Sequence, residues 1–305
     1  MDVVFQVAVS GLAAGAVYGL VAVGHSLVYR LTGVVHFAFG ELIAVAVFAT
    51  LLFAAGTSPV TSTSVSGGRF AVALAAGLAV VAAASAASYW FAVQPYQLRG
   101  STLGWVGASL ALAFALRTLI VAVFDRPSYV FPDPLPFRDV GDEGFWHVGG
   151  ATIQARSLFV IAIALALAAV SAWILARTRF GRALEAVASD VEGAQVVGLP
   201  VSRLVGLAFA LTGIVAGLAA VVAAPSGAFD VDTAALLGLK GLAAAVAVRF
   251  ALWTSFAAGV AFGVLEAGVA NVTWAGPPYR VVVPLALVLA LLAARAVRQP
   301  EARAE

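Results

Sequence analysis

Apolar residues in this chain come in long unbroken runs, not in the short alternations of a soluble sheet. Residues 70–93, 157–176 and 204–229 contain no Asp, Glu, Lys or Arg at all. Each is longer than the roughly 18 residues that mark a membrane-spanning helix. Read along the chain, the pattern predicts spans near 3–23, 40–55, 70–93, 101–124, 157–176, 203–224, 234–248, 252–273 and a short one at 280–295. A polar break at 25–33 separates the first two, and a Ser/Thr/Gly-rich link covers 57–68. The segment 125–156 differs in character, with Pro127, Pro132, Pro134, Pro136, several acids and the aromatics Phe145 and Trp146. It reads as an irregular loop outside the membrane. Within the first span Gly11, Gly15 and Gly19 fall on one helical face, a doubled small-xxx-small pattern that lets another helix approach closely.

Composition agrees with this class. Of 305 residues, 63% are apolar and 10% charged, and mean hydropathy is +1.04, far above soluble domains. The expected fold is all-α: a polytopic membrane helix bundle of eight or nine transmembrane helices, forming one domain over residues 1–305. Nine spans fit the pattern, and so do eight with a re-entrant piece around 30–45. Lys and Arg set the orientation. Ten fall on one side: Arg30, Arg99, Arg177, Arg179, Arg182, Arg203, Arg249, Arg295, Arg298 and Arg303. Five fall on the other: Arg69, Arg126, Arg138, Arg156 and Arg280. The richer side is expected to be cytoplasmic, which puts the N-terminus and the 125–156 loop outside and the C-terminus inside. The opening residues MDVVFQ carry no basic stretch, so no cleavable signal peptide is expected. The chain has no cysteine, which excludes disulfides and thiolate metal sites. No metal, cofactor or nucleic-acid partner is expected.

One segment breaks the apolar monotony. Residues 177–203 carry four arginines and three carboxylates and belong on the cytoplasmic side. From Arg182 onward Leu184, Val187, Val191 and Ala194 recur every three or four residues, with Glu185, Ser189 and Glu192 on another face, so a short amphipathic helix is predicted. Gly198 can end it and Pro200 prevents its continuation. Its polar face balances acids with bases, a poor match for anionic lipid and a better one for a cytoplasmic protein.

The run Arg179-Phe-Gly-Arg-Ala-Leu-Glu-Ala-Val-Ala-Ser-Asp-Val-Glu-Gly-Ala-Gln-Val-Val-Gly resembles the cytoplasmic coupling segment of permeases in the branched-chain amino acid ABC importer family. The span after it, with Thr212, Gly213, Ala216, Gly217 and Leu218, resembles the glycine-rich span that follows in the family. Leu12-Ala-Ala-Gly-Ala-Val-Tyr-Gly resembles its first helix, and Gly33-Val-Val-His-Phe-Ala-Phe-Gly-Glu its G-[VI]-[IV]-N-F-A-H-G-E motif. The resemblance covers nearly the whole chain. It implies a non-catalytic permease subunit in a prokaryotic cytoplasmic membrane, with separate cytoplasmic ATP-binding subunits, a second permease subunit and an extracytoplasmic solute-binding protein as partners. It implies that Arg179, Gly181, Arg182, Leu184, Glu185, Val187, Asp190, Val191 and Gly198 couple to the ATPase. In that picture Leu184, Val187 and Val191 fill a groove on the partner, while Arg182, Glu185 and Asp190 set register. Gly213 and Gly217 join Gly11, Gly15 and Gly19 as helix-packing glycines.

Two departures stand out. His36 and Phe39 occupy positions where the family motif has Asn and His. At 246–255 relatives tend to carry a glycine-rich break, whereas this chain reads Val-Ala-Val-Arg-Phe-Ala-Leu-Trp-Thr-Ser.

No phosphate-binding GxxxxGK[ST] loop occurs in the sequence, so ATP hydrolysis is expected of other subunits. Candidate residues for the translocation path are His36, Glu41 and Glu266. A charge deep in a span costs about 2.5–3.5 kcal/mol on insertion scales, so Glu266 is expected to face the interior or to be protonated. Lys240 could pair with it, although sequence gives no distance, while Arg117 is expected to snorkel. A pathway of Ala, Val, Leu and Gly suits a small, net neutral solute. Branched-chain amino acids fit, as do urea and short amides. An ion-coupled secondary transporter remains an alternative, with Glu41 and Glu266 as its only acidic candidates. An enzyme does not, since His25, His36 and His147 lie far apart with no metal-ligand spacing.

Overall fold

A computed structural model describes residues 2–57, 65–97, 103–124, 128–131, 145–148 and 151–271, with a few helical positions between 282 and 290. Most of the 125–156 loop, including Asp139, Asp142 and Glu143, lies outside the described residues, as does most of the 280–295 span.

The chain is a helical membrane bundle. Its helices are α1 (Asp2–Thr32), α2 (Phe39–Ala55), α3 (Gly67–Ser88), α4 (Gln94–Gln97), α5 (Gly104–Val123), α6 (Ala155–Arg177), α7 (Arg179–Ser189), α8 (Val191–Val196), α9 (Val201–Ala223), α10 (Val231–Ala247) and α11 (Leu252–Ala270). A π turn, Tyr89–Val93, joins α3 to α4. Among the described residues six helices are long and apolar enough to cross a membrane, and α2 is a shorter apolar helix. Two antiparallel strand pairs cap one end. Strand β1 (Ser128–Val130) pairs with β4 (Ala228–Asp230), and β2 (Phe145–Val148) with β3 (Ala151–Gln154). The opposite end carries α7 and α8.

Burial sorts the spans into layers. The spanning windows of α1 and α9 are 61% buried, against 17% for α5 and α6, so α1 and α9 form the centre and α5 and α6 the periphery. Close packing at the centre is set by glycine. A Cβ on Gly11, Gly15 or Gly19 would lie 2.7, 2.5 or 2.7 Å from backbone atoms of Val264, Val260 or Phe256 on α11. The partner helix answers with Gly259 and Gly263, which abut the backbone of Gly19 and Gly15. Backbone rests on backbone, the arrangement small residues permit in lipid. Gly213 and Gly217 on α9 instead leave room for side chains, those of Ser85 on α3 and Ala46 on α2.

One expectation is corrected here. The polar stretch 25–33 does not break the first helix, which runs to Thr32. Its first two polar residues find partners inside the bundle: His25 Nε2 lies 3.1 Å from the Gly238 carbonyl oxygen, and the hydroxyls of Ser26 and Ser255 are 2.7 Å apart. The chain then turns at Gly33, whose φ of +68° suits glycine. Residues 33–38 run back alongside α1, so that α2 begins beside Gly24, where Phe39 packs.

The 246–255 segment does break the helix without glycine. Arg249 and Phe250 both adopt φ of 56°, and the Phe250 N–H donates to the Ala245 carbonyl oxygen at 2.8 Å. The Phe250 ring stacks on Tyr29 with centroids 3.9 Å apart.

Candidate functional site

The first candidate surface is the α7–α8 step between α6 and α9. Thr178 begins it: its hydroxyl accepts from the Gly181 N–H at 3.1 Å and donates to the Ile174 carbonyl oxygen at 2.6 Å. Gly181 is sterically required, because a Cβ there would run into the carbonyl oxygens of Ile174 and Leu175. The predicted single helix is two. Asp190 ends α7 in an extended conformation and caps α8, accepting from the Gly193 N–H at 3.0 Å. Such a cap satisfies an otherwise orphaned helix donor. Gly198, with φ +84°, closes α8 ahead of Pro200.

The split turns the apolar face in a direction the spacing did not suggest. Leu184 (2% exposed) and Val187 (0%) are buried in this chain's own core beside Leu27, Leu31 and Val205. They cannot fill a groove on another protein, which corrects that expectation. The apolar ends of α1 and α9 at this level need covering, and α7 covers them. Val191 falls on the outer side of the break and is exposed. The outward face carries Arg179, Arg182, Glu185, Asp190, Glu192 and Gln195. It is tipped by Val196 and Val197, 87% and 76% exposed. These two valines went unnoticed in the sequence, where only their position just before Gly198 marks them.

The second candidate is a cavity of about 570 Å³ between α1, α6, α9, α10 and α11, at the strand-bearing half of the bundle. Ala13, Ala14, Val17, Val160 and Leu237 form its apolar wall, and Tyr18, Lys240 and Glu266 are its charged and phenolic lining. Lys240 Nζ donates to Glu266 Oε1 and Oε2 at 2.8 and 2.9 Å and to the Tyr18 hydroxyl at 3.0 Å. The two side chains are 10% and 5% exposed. Pairing offsets the cost of burying each charge, but a buried ion pair seldom adds stability beyond what an apolar pair would give.

The three path candidates part company. Glu266 lines the cavity, whereas His36 and Glu41 do not. His36 is 1% exposed against Phe209, their rings 5.5 Å apart, and neither ring nitrogen has a hydrogen-bond partner. Glu41 is buried in the first turn of α2, where the helix dipole favours a carboxylate. Arg117 forms an ion pair with Asp232 at the start of α10. No group of His, Asp and Glu that could hold a metal occurs among the described residues.

Comparison with known proteins follows the same lines. A family model described as branched-chain amino acid transport system, permease component, matches residues 7–292. The high-affinity branched-chain amino acid transport system permease protein BraD of Pseudomonas aeruginosa is 25% identical over 294 residues, spanning 94% of this chain and 92% of the relative. LivH of Escherichia coli K12, a permease protein of the same description, is 24% identical over 292 residues, with 93% and 91% covered. The autoinducer 2 import system permease protein LsrC of Klebsiella pneumoniae is 39% identical over 85 residues, 28% of this chain and 25% of the relative. No solved structure matches at a significant level.

Proposed function

This chain belongs to the family of permease components of branched-chain amino acid transport systems, and from that membership we propose that it forms part of the membrane path of an ATP-driven importer. The solutes are branched-chain or related hydrophobic amino acids, moved inward across the cytoplasmic membrane of a prokaryote. Separate ATPase subunits supply the energy, a second permease chain completes the path, and a solute-binding protein delivers cargo at the strand-bearing end.

The observation that carries this reading is the two-sided α7–α8 step. Its inner face is packed into the bundle through Leu184 and Val187, while its outer face is charged and tipped by Val196 and Val197. A force applied outside at Arg182 or Glu185 therefore passes through the buried side chains of Leu184 and Val187 to the ends of α1 and α9. Packed interiors transmit displacement because they have little room to compress. The excess of Lys and Arg supports placing this step in the cytoplasm.

The test is uptake of leucine by right-side-out vesicles containing the assembled importer, with its solute-binding protein outside and with or without ATP enclosed. ATP-dependent uptake is expected. Uptake by the purified chain with no ATPase present would overturn the reading in favour of an ion-coupled carrier.

A further inference from the structure

We infer that the cavity lined by Lys240, Glu266 and Tyr18 is a binding site for the zwitterionic head of a free α-amino acid. This rests on the importer reading above and adds a place on this chain where cargo is recognised.

The argument starts from charge. Lys240 and Glu266 satisfy one another at 2.8 and 2.9 Å, and both face a cavity of about 570 Å³. A pair serving only to hold α10 to α11 has no need of a cavity beside it. An α-amino acid carries an ammonium and a carboxylate on one carbon, the same two charges at a similar separation. Its carboxylate can take Nζ of Lys240 and the Tyr18 hydroxyl, which sits 3.0 Å from that Nζ. Its ammonium can take the Glu266 carboxylate. Two opposed pairs then form a closed set of four charges with no net charge brought into a low-dielectric site.

Specificity follows. A simple amine or a simple carboxylate would add a single charge and leave one partner unmatched, which is costly in such a place. A peptide holds its terminal charges too far apart to meet both groups at once. The side chain of the cargo would lie along Ala13, Ala14, Val17, Val160 and Leu237, a wall that favours an aliphatic group.

The absence of native cysteine allows a direct test. A single Ser157→Cys substitution puts a thiol in the cavity lining, and its labelling by a small thiol reagent is followed in the assembled importer in vesicles. L-leucine at millimolar concentration is expected to slow labelling by about tenfold or more, as an occupied site requires. Leucine lacking its ammonium (4-methylpentanoate) and leucine lacking its carboxylate (3-methylbutylamine) are expected to leave the rate unchanged. The paired variant Lys240→Met with Glu266→Leu should label equally with and without leucine. If that variant does not insert, the three-ligand series on Ser157→Cys alone decides.

Equal protection by either analogue, or protection that persists in the paired variant, overturns the site. So does an absence of protection in vesicles that still take up leucine with ATP, an outcome that leaves the importer reading standing. Protection by leucine in vesicles that show no ATP-driven uptake has the opposite meaning, supporting the site and defeating the importer reading.

Discussion

Replacing Leu184 by alanine separates the two faces of the α7–α8 step. Leu184 is 2% exposed and packs among Leu27, Leu31, Leu175 and Val187, so its truncation removes buried methyl groups and leaves a cavity. Such changes cost about 2–5 kcal/mol. Because the contact holds α7 to the bundle and not the bundle to itself, most of that loss should appear as easier undocking of α7. In equilibrium terms the undocked population rises by roughly 30-fold to several thousand-fold. Amide hydrogen exchange in α7 should accelerate by a comparable factor, while exchange in the middle of α1 and α9 stays slow. The outer face is untouched, so ATPase subunits should still co-purify, but their movement would no longer reach the spans. The expected picture is retained ATP hydrolysis with uptake reduced tenfold or more. Glu185→Lys, on the exposed face, should do the reverse, losing ATPase retention with exchange in α7 unchanged. If Leu184→Ala lost its ATPase subunits while exchange in α7 stayed at the wild-type rate, Leu184 would be a direct partner contact and the inward packing would be irrelevant to coupling.

Gly15→Leu should drive α1 from α11, since even a Cβ would lie 2.8 Å from the Val260 Cα; overpacking of this kind costs about 1–3 kcal/mol or more, and a melting temperature equal to wild type in detergent would contradict the close approach. Arg117→Ala should cost under about 1 kcal/mol despite removing an ion pair, because the Arg117 and Asp232 side chains are 38% and 70% exposed; a large loss of thermal stability would mean the pair is shielded by a second chain. Charge reversal at Asp139, Asp142 and Glu143 should weaken binding of the loaded solute-binding protein if the 125–156 loop is its docking surface, whereas unchanged affinity would make that loop a passive cover.

The fold class and most spans were legible because hydropathy acts over whole helices. The sequence also displayed Gly11, Gly15 and Gly19 as one face, yet not what faced them. Gly259 and Gly263 become meaningful only once α11 is known to lie against α1, a pairing of residues some 250 positions apart. Polar residues misled at 25–33, where His25 and Ser26 look like a break until Gly238 and Ser255 supply their hydrogen bonds. The α7–α8 split was hidden by a periodic apolar pattern that continues across it. The competing signal, Asp190 three residues before Gly193, is local capping chemistry, and it won because an extended Asp190 satisfies a donor at no cost in packing. Whether Glu266 faced a cavity was likewise beyond the sequence, since that depends on how α6 and α9 stand off from α10.

The junction between α10 and α11 has a mechanical consequence. Glycines would make it a soft hinge, free to sample many conformations. Arg249 and Phe250 instead sit in a narrow left-handed well, at a cost of roughly 1–2 kcal/mol per residue, with Phe250 clamped on Tyr29. Such a turn has few neighbouring states to visit, so the two helices it joins should move as one stiff body. Those helices carry Lys240 and Glu266, and the distance between the two charges would then stay fixed as the body tilts. Tilting would alter who can reach the pair, from which side of the membrane, without pulling it apart.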